Sequence, residues 1–270
     1  MTIEFYNVGI ATCLIRINGG TAIAIDPALS PQGSTMSFKS FEAARTAPPI
    51  YDDALFDDTA LWLITHLHED HFDKLGAEKI DKNVPVIMHP NYAGGGDFKD
   101  YNNIPLAYGK TKEFNFTDFN VSITAVPAYH ASNPLVRAVS GAVSGYVVRI
   151  SNSHDEFFIY FTSDTVFHKD VVKAVKTSFP RIDLLVANLG EVRADKFGGL
   201  LTMSAAMLEQ FCEQLNPGMI IPVHIDDMSH FRTKKSDLTA CGFDIIAPGG
   251  WHTIYTDVIC KGGKGERGTT

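Results

Sequence analysis

Short apolar runs rich in β-branched and aromatic residues, each closed off by turn residues, recur along this chain. "ATCLIRI" at 11–17 and "TAIAI" at 21–25 flank "NGG", the turn chemistry of a β-hairpin. Further strands are predicted at "LWLIT" (61–65), "VPVIM" (84–88), "FNVSITAV" (119–126), "GYVVRI" (145–150) and "EFFIYFTS" (156–163). "IDLLVAN" (182–188), "MIIPV" (219–223) and "FDIIAP" (243–248) continue the series. Helical periodicity interleaves with them. In "MSAAMLEQFCEQL" the apolar positions 203, 207, 208, 211 and 215 fall at steps of three and four, so one face packs inward. A second helix is predicted over 168–179 and a weaker one over His71–Ile80. Many strands with few helices point to an α+β chain whose sheets pack on each other under an outer shield of helices. Residues 27–59, with their prolines, serines and "DDALFDD", read as a long irregular connection, and such connections in a domain are more often functional than idle.

Composition narrows the setting. With 270 residues and 45% hydrophobic content the chain can fill one large layered core, placed at 1–260, and "KGGKGERGTT" at 261–270 reads as a mobile tail. A net charge of −8, with no basic run longer than "KK" at 234–235, argues against a surface that tracks nucleic-acid phosphates. Cys13, Cys212, Cys241 and Cys260 lie far apart with no C-x-x-C pair, as a reducing compartment permits, so a cytoplasmic location is expected. The N-terminal stretch carries Glu4 and lacks the cationic start and unbroken apolar core of a signal peptide, and no run approaches membrane-spanning length. "GGGD" at 94–97 lacks the spacing and the strand-to-helix setting of a phosphate loop. The expected partner is a small molecule, with a homo-oligomer left open.

Candidate chemistry is concentrated in "LWLITHLHEDHFDKLG" at 61–76. Just past a strand, His66, His68 and Asp70 project one way, and a turn into a helix brings His71 round to the same mouth. A charged helix start used only for capping is the competing reading. Three further candidate ligands sit in the same setting: His130 after "VSITAVPAY", Asp164 after "FFIYFTS" and His224 after "MIIPV". Imidazole and carboxylate donors at strand ends suit zinc and its neighbours, with an open position for water. Asp26, at the end of "TAIAI", either orients a ligand histidine or merely starts a turn before Pro27. His168 and His230 follow ligand candidates closely and are expected to face the pocket, whereas His89, His154 and His252 are assigned to loops or packing.

The segment "THLHEDH" resembles the signature of the metallo-β-lactamase superfamily, with His130, Asp164 and His224 in the family's order. The likeness runs from "AIDP" to "IPVHIDD", and "IDPALSPQGS", "SDTVFH", "LTMSAA" and "IPVHIDDMSH" resemble the lactonase-like branch that includes ascorbate phosphate lactonase-type metal-dependent hydrolases. The resemblance implies a four-layer αββα sandwich with two divalent ions at one edge, zinc first, manganese or iron as alternatives. It implies one ion on His66, His68 and His130, a second on Asp70, His71 and His224, and Asp164 between them. Water ionised by the two ions would be the nucleophile, with Asp70 as proton shuttle. Ser163 departs from the glycine that relatives usually carry before the aspartate, and His68 departs from the glutamate of flavo-diiron relatives, which argues against iron redox chemistry. The implied activity is hydrolysis of a small ester-like substrate such as a lactone. A phosphodiesterase acting on a small phosphodiester or phospholipid head group, and a metal-binding scaffold without turnover, are the alternatives.

Overall fold

The computed structural model describes residues 1–38, 41–95, 98–193 and 199–256. Period-two burial dictates the layers. In β6 (Thr59–Leu63), Leu61 and Leu63 face the core between two sheets while Trp62 faces out. In β12 (Glu156–Phe161), Ile159 and Phe161 face that same core, and Phe158 and Tyr160 turn to the helices outside.

The first sheet runs in the order β15 (Trp251–Thr256), β1 (Thr2–Gly9), β2 (Thr12–Ile17), β3 (Ala22–Ile25), β6, β7 (Pro85–Met88), β8 (Asn102–Pro105). The second runs β14 (Met219–Val223), β13 (Leu184–Asn188), β12, β11 (Ser144–Ser151), β10 (Asn120–Pro127), β9 (Thr111–Asn115). A separate hairpin joins β4 (Thr35–Phe38) to β5 (Phe41–Ala44). Helices α3 (Lys169–Ser178), α4 (Ala205–Leu215) and α5 (Lys235–Ala240) bury Val171, Val172, Val175, Leu208, Phe211 and Leu238 on the outer face of the second sheet. The layer over the first sheet is thinner, a 3-10 turn at Asp53–Phe56 together with Ile80 and Phe98. The layers are those of the expected αββα sandwich. No helix among the described residues is long and apolar enough to cross a membrane.

Strand direction positions the site. β3 and β6 are parallel, and so are β12, β13 and β14; β10 is antiparallel to β11, itself antiparallel to β12, so β10 runs with β12. The C-terminal tips of β6, β10, β12 and β14 therefore open at one edge between the sheets.

Several expectations are corrected. "FDIIAP" at 243–248 forms no strand: Ile245 packs with the outer helical cluster and Ile246 with the inter-sheet core, so its alternation serves a crossing between layers. The helix over His71–Ile80 contracts to α1 (Lys74–Ala77), capped by Asp73 and pressed so tightly on Pro27 that a side chain at Gly76 would collide with its carbonyl. Residues 27–59 are less irregular than they read, since they hold the β4–β5 hairpin. Cys260, the tail at 261–270 and part of "GGGD" lie outside the described residues.

Candidate metal centre

The strand tips bend sharply. Asp26, Ser163 and His224 have φ of 46°, 56° and 62°, left-handed backbone that costs a non-glycine residue roughly 1–2 kcal/mol. Such strain persists where surrounding bonds fix it. Asp26 N–H donates to Leu63 O at 3.1 Å, and His224 N–H donates to Ile10 O at 2.8 Å. Ser163 thus adopts the backbone conformation that glycine favours, and its departure from the family's usual residue is one of side chain only.

Two groups of potential ligand atoms result: His66, His68 and His130, and beside them Asp70, His71, Asp164 and His224, each group gathered within 4.8 Å. In the trio, His68 Nδ1 lies 3.0 Å from His66 Nε2 and 3.2 Å from His130 Nε2. In the quartet, His224 Nε2 lies 3.2 Å from Asp70 Oδ2, and His71 Nε2 lies 3.2 Å from Asp164 Oδ1. Asp164 also reaches toward the trio, its Oδ2 standing 3.8 Å from His130 Nδ1.

In four of the five rings the opposite nitrogen fixes the tautomer, because it faces an acceptor. His130 Nδ1–H donates to Leu201 O at 3.0 Å and His224 Nδ1–H to Leu189 O at 3.1 Å. His71 Nδ1–H donates to Asp26 Oδ2 at 2.8 Å. His66 Nδ1–H donates at 3.1 Å to the Thr65 hydroxyl, which donates to Asp26 Oδ2 at 2.6 Å. The Nε2 atoms of these four rings are thereby aimed inward, and in the trio His66 Nε2 and His130 Nε2 meet His68 Nδ1 at 3.0 and 3.2 Å. Asp70 Oδ1 is buried without a hydrogen-bond partner, and His71 Nε2, close to Asp164 Oδ1, makes no well-aligned hydrogen bond. Converging ring nitrogens and carboxylate oxygens, with Asp70 Oδ1 orphaned among them, fit divalent cations, the donor set being imidazole and carboxylate.

Burial, then the neighbouring histidines, push the charged form of His66 well below the ordinary histidine range, and the same causes bring His68 to about 4. Burial likewise lowers His130. Burial also opposes charge on His71 and His224, yet Asp164, aided by Asp26 at His71 and by Asp70 at His224, outweighs it and raises both. Against the cost of its own burial, Asp70 is held down at about 2 by His224 and His71.

Asp26 lies behind the site, accepting from His71 and from both Thr65 donors, including Thr65 N–H at 2.7 Å. His230 lies beside the cluster, among Phe38, Phe41 and Phe231. His168 departs from expectation: its ring caps α3, accepting from Asp170 N–H at 3.1 Å, and packs on Tyr129, because His-x-Asp at a helix start offers the ring a local backbone donor. Thr65, the carbonyls of Leu189 and Leu201, and the phenylalanines around His230 were not singled out from sequence. Only Thr65 carried a signal there, as a polar residue ending an apolar run beside His66.

The family model described as a beta-lactamase superfamily domain matches residues 21–225. A UPF0173 metal-dependent hydrolase from Pyrococcus horikoshii is 30% identical over 213 residues, covering 77% of this chain and 79% of that protein. Among solved structures, a possible metal-dependent hydrolase from Veillonella parvula superposes with a TM-score of 0.77 at 20% identity, covering 94% of this chain and 100% of its own. An isothiocyanate hydrolase from Delia radicum gut bacteria superposes with a TM-score of 0.75 at 19% identity, covering 92% and 98%. At these identities the structural likeness speaks for the fold.

Proposed function

The chain belongs to the metallo-β-lactamase superfamily, and from that premise we propose that it is a metal-dependent hydrolase that uses two divalent cations on a small ester-like substrate, such as a lactone. The observation that carries this reading is the set of ring nitrogens and carboxylate oxygens that converge in two adjoining groups, oriented by outward Nδ1–H bonds, with Asp70 Oδ1 buried and unpaired among them. His66, His68 and His130 hold one cation, Asp70, His71 and His224 the other, and Asp164 serves both. Zinc is the first choice for both groups, with manganese or iron as alternatives at the oxygen-richer one. When bound, such a pair supplies Lewis acidity toward a carbonyl and brings the pKa of water toward ~7. The protein contributes rigid rings, exclusion of bulk water by the buried walls, and Asp70 Oδ1 as the oxygen positioned to hold a proton on its way to the departing alkoxide.

Among the described residues, the groups acting most strongly on the cluster include no lysine or arginine. That supports an uncharged acyl substrate over a phosphodiester. Cys13, Cys212 and Cys241 are unpaired, which supports a reducing, cytoplasmic setting.

The test is turnover by the metal-loaded protein of a panel of lactones and simple esters against bis(p-nitrophenyl) phosphate. Lactone or ester cleavage is expected. Cleavage of the phosphodiester alone replaces the substrate class, and activity on none of them favours a scaffold. His71→Ala should lose about one ion per chain together with turnover; unchanged metal content and rate would refute the two-cation assignment.

A further inference from the structure

Beside the cluster, the β4–β5 hairpin and the loop after β14 form an aromatic wall. Phe38 and Phe41, opposite each other in the hairpin, stack at 4.8 Å. His230 packs on them at 5.2 and 5.1 Å, and on Phe231 at 4.8 Å. Phe38 meets His68 edge-on at 5.9 Å, and Phe231 lies 4.2 Å from His224. His230 is therefore bracketed by one ring that touches the trio and another that touches the quartet, over the seam where the proposed chemistry occurs.

The wall is anchored. Ser37 N–H donates to Glu69 Oε2 at 2.7 Å, beside Asp70, and Ala44 N–H donates to Ser229 Oγ at 3.0 Å, beside His230. Ser229 N–H returns a bond to Ala44 O at 2.9 Å, and Arg45 bridges to Met228. In this frame His230 Nδ1 is buried with no hydrogen-bond partner. A buried polar atom left open in an ordered wall is accounted for when a ligand completes it. An ester or lactone offers only acceptors, so the complementary tautomer of His230 carries its proton on Nδ1.

We propose that this wall is the specificity subsite of the enzyme: Phe38 and Phe41 take a flat, uncharged ring attached near the substrate carbonyl, and His230 Nδ1–H donates to a substrate oxygen. The substrate class is thereby narrowed to neutral aryl-bearing or ring-fused esters and lactones. This rests on the hydrolase reading for the identity of the bond cleaved, but its test does not require turnover.

Phenylacetamide and acetamide, which share a carbonyl and differ in the ring, serve as hydrolysis-resistant probes. Binding to the metal-loaded protein is measured by calorimetry, with metal content and melting temperature determined for every variant. Wild type should bind phenylacetamide at least ~10-fold more tightly than acetamide, one well-buried ring sufficing for that ratio. Phe38→Ala combined with Phe41→Ala should reduce the preference to below about threefold. His230→Phe keeps an aromatic ring but no N–H and should weaken phenylacetamide binding about tenfold, and His230→Asn, whose amide can stand near Nδ1, should restore part of it. Equal affinity of wild type for the two amides, or unaltered binding by His230→Phe with full metal content, overturns the proposal. Ring preference without cleavage of any ester leaves the subsite standing and removes the hydrolase reading; ester cleavage without ring preference does the reverse.

Discussion

The two groups of side chains shift the same imidazole in opposite directions. In the trio, burial, joined at His66 and His68 by mutual repulsion, favours the neutral form of His66, His68 and His130. In the quartet, Asp164 with Asp70 and Asp26 overcomes burial and favours charge on His71 and His224. Neighbouring carboxylates, not burial, decide which state wins, because all five rings are largely enclosed. Under the proposed assignment a cation would meet neutral donors at one group, and at the other would compete with protons but gain two carboxylates.

Asp164 is where the contrast can be removed altogether. Its carboxylate stands 3.2 Å from His71 Nε2 and 3.8 Å from His130 Nδ1. Asp164→Ala is expected to weaken both cations and to lower turnover on the order of 10³-fold or more. Elemental analysis showing one ion fully retained would mean that the carboxylate serves a single group.

Acidification should separate the groups. A raised pKa favours the protonated ring, and binding a cation must release any proton held there, so affinity falls with acidity by up to about tenfold per pH unit for each proton displaced. With His71 and His224 both raised, lowering the pH from 7 to 6 is expected to weaken the quartet's cation by about tenfold to a hundredfold. The trio, with His68 at about 4, should hold its cation across that interval. Stepwise metal release followed by titration at the two pH values checks this, and parallel loss from both groups contradicts it.

A smaller change reaches the quartet from behind. Asp26 accepts from His71 Nδ1, Thr65 N and Thr65 Oγ1. Asp26→Asn turns one of those acceptors into a donor, leaving an N–H facing an N–H or O–H. Loosening the orienting partner of a ligand histidine costs roughly ten- to a hundredfold in metal affinity. The loss should fall mainly on the quartet's cation, with a weaker echo at the trio through Thr65 and His66; competition against a zinc chelator measures it.

The centre was legible in the sequence because its residues share one physical position, the polar end of an apolar run. Parallel strands bring such ends together whatever their separation along the chain, as with His66 and His224. The aromatic wall was not legible. Phe38 and Phe41 sit in strands of only four residues, too short for the alternation in "TMSF" to stand out within an irregular stretch, and their contacts with His230 arise from a loop nearly two hundred residues away. His168 misled for the converse reason: closeness in sequence to Asp164 does not survive the turn into α3, where a nearby backbone N–H claims the ring. "FDIIAP" carried a strand's pattern without a neighbouring strand to pair with, and pairing is what period two alone does not supply.

Ser163 tests whether the strain at the tips belongs to the chemistry or only to the chain's route. Its φ of 56° is left-handed, and its hydroxyl is buried without a hydrogen-bond partner. Ser163→Gly relieves a conformational cost of roughly 1–2 kcal/mol and removes the unsatisfied oxygen, against somewhat under 1 kcal/mol of added freedom in the unfolded chain. The net expectation is stabilisation by about 1 kcal/mol, a rise in Tm of roughly 2–4 °C for a chain of this size. Cation binding at Asp164 should be unaltered, because glycine keeps the same backbone turn. A lower Tm would show that the serine hydroxyl has a partner in solution, and weaker metal binding at equal stability would tie the residue to the centre itself.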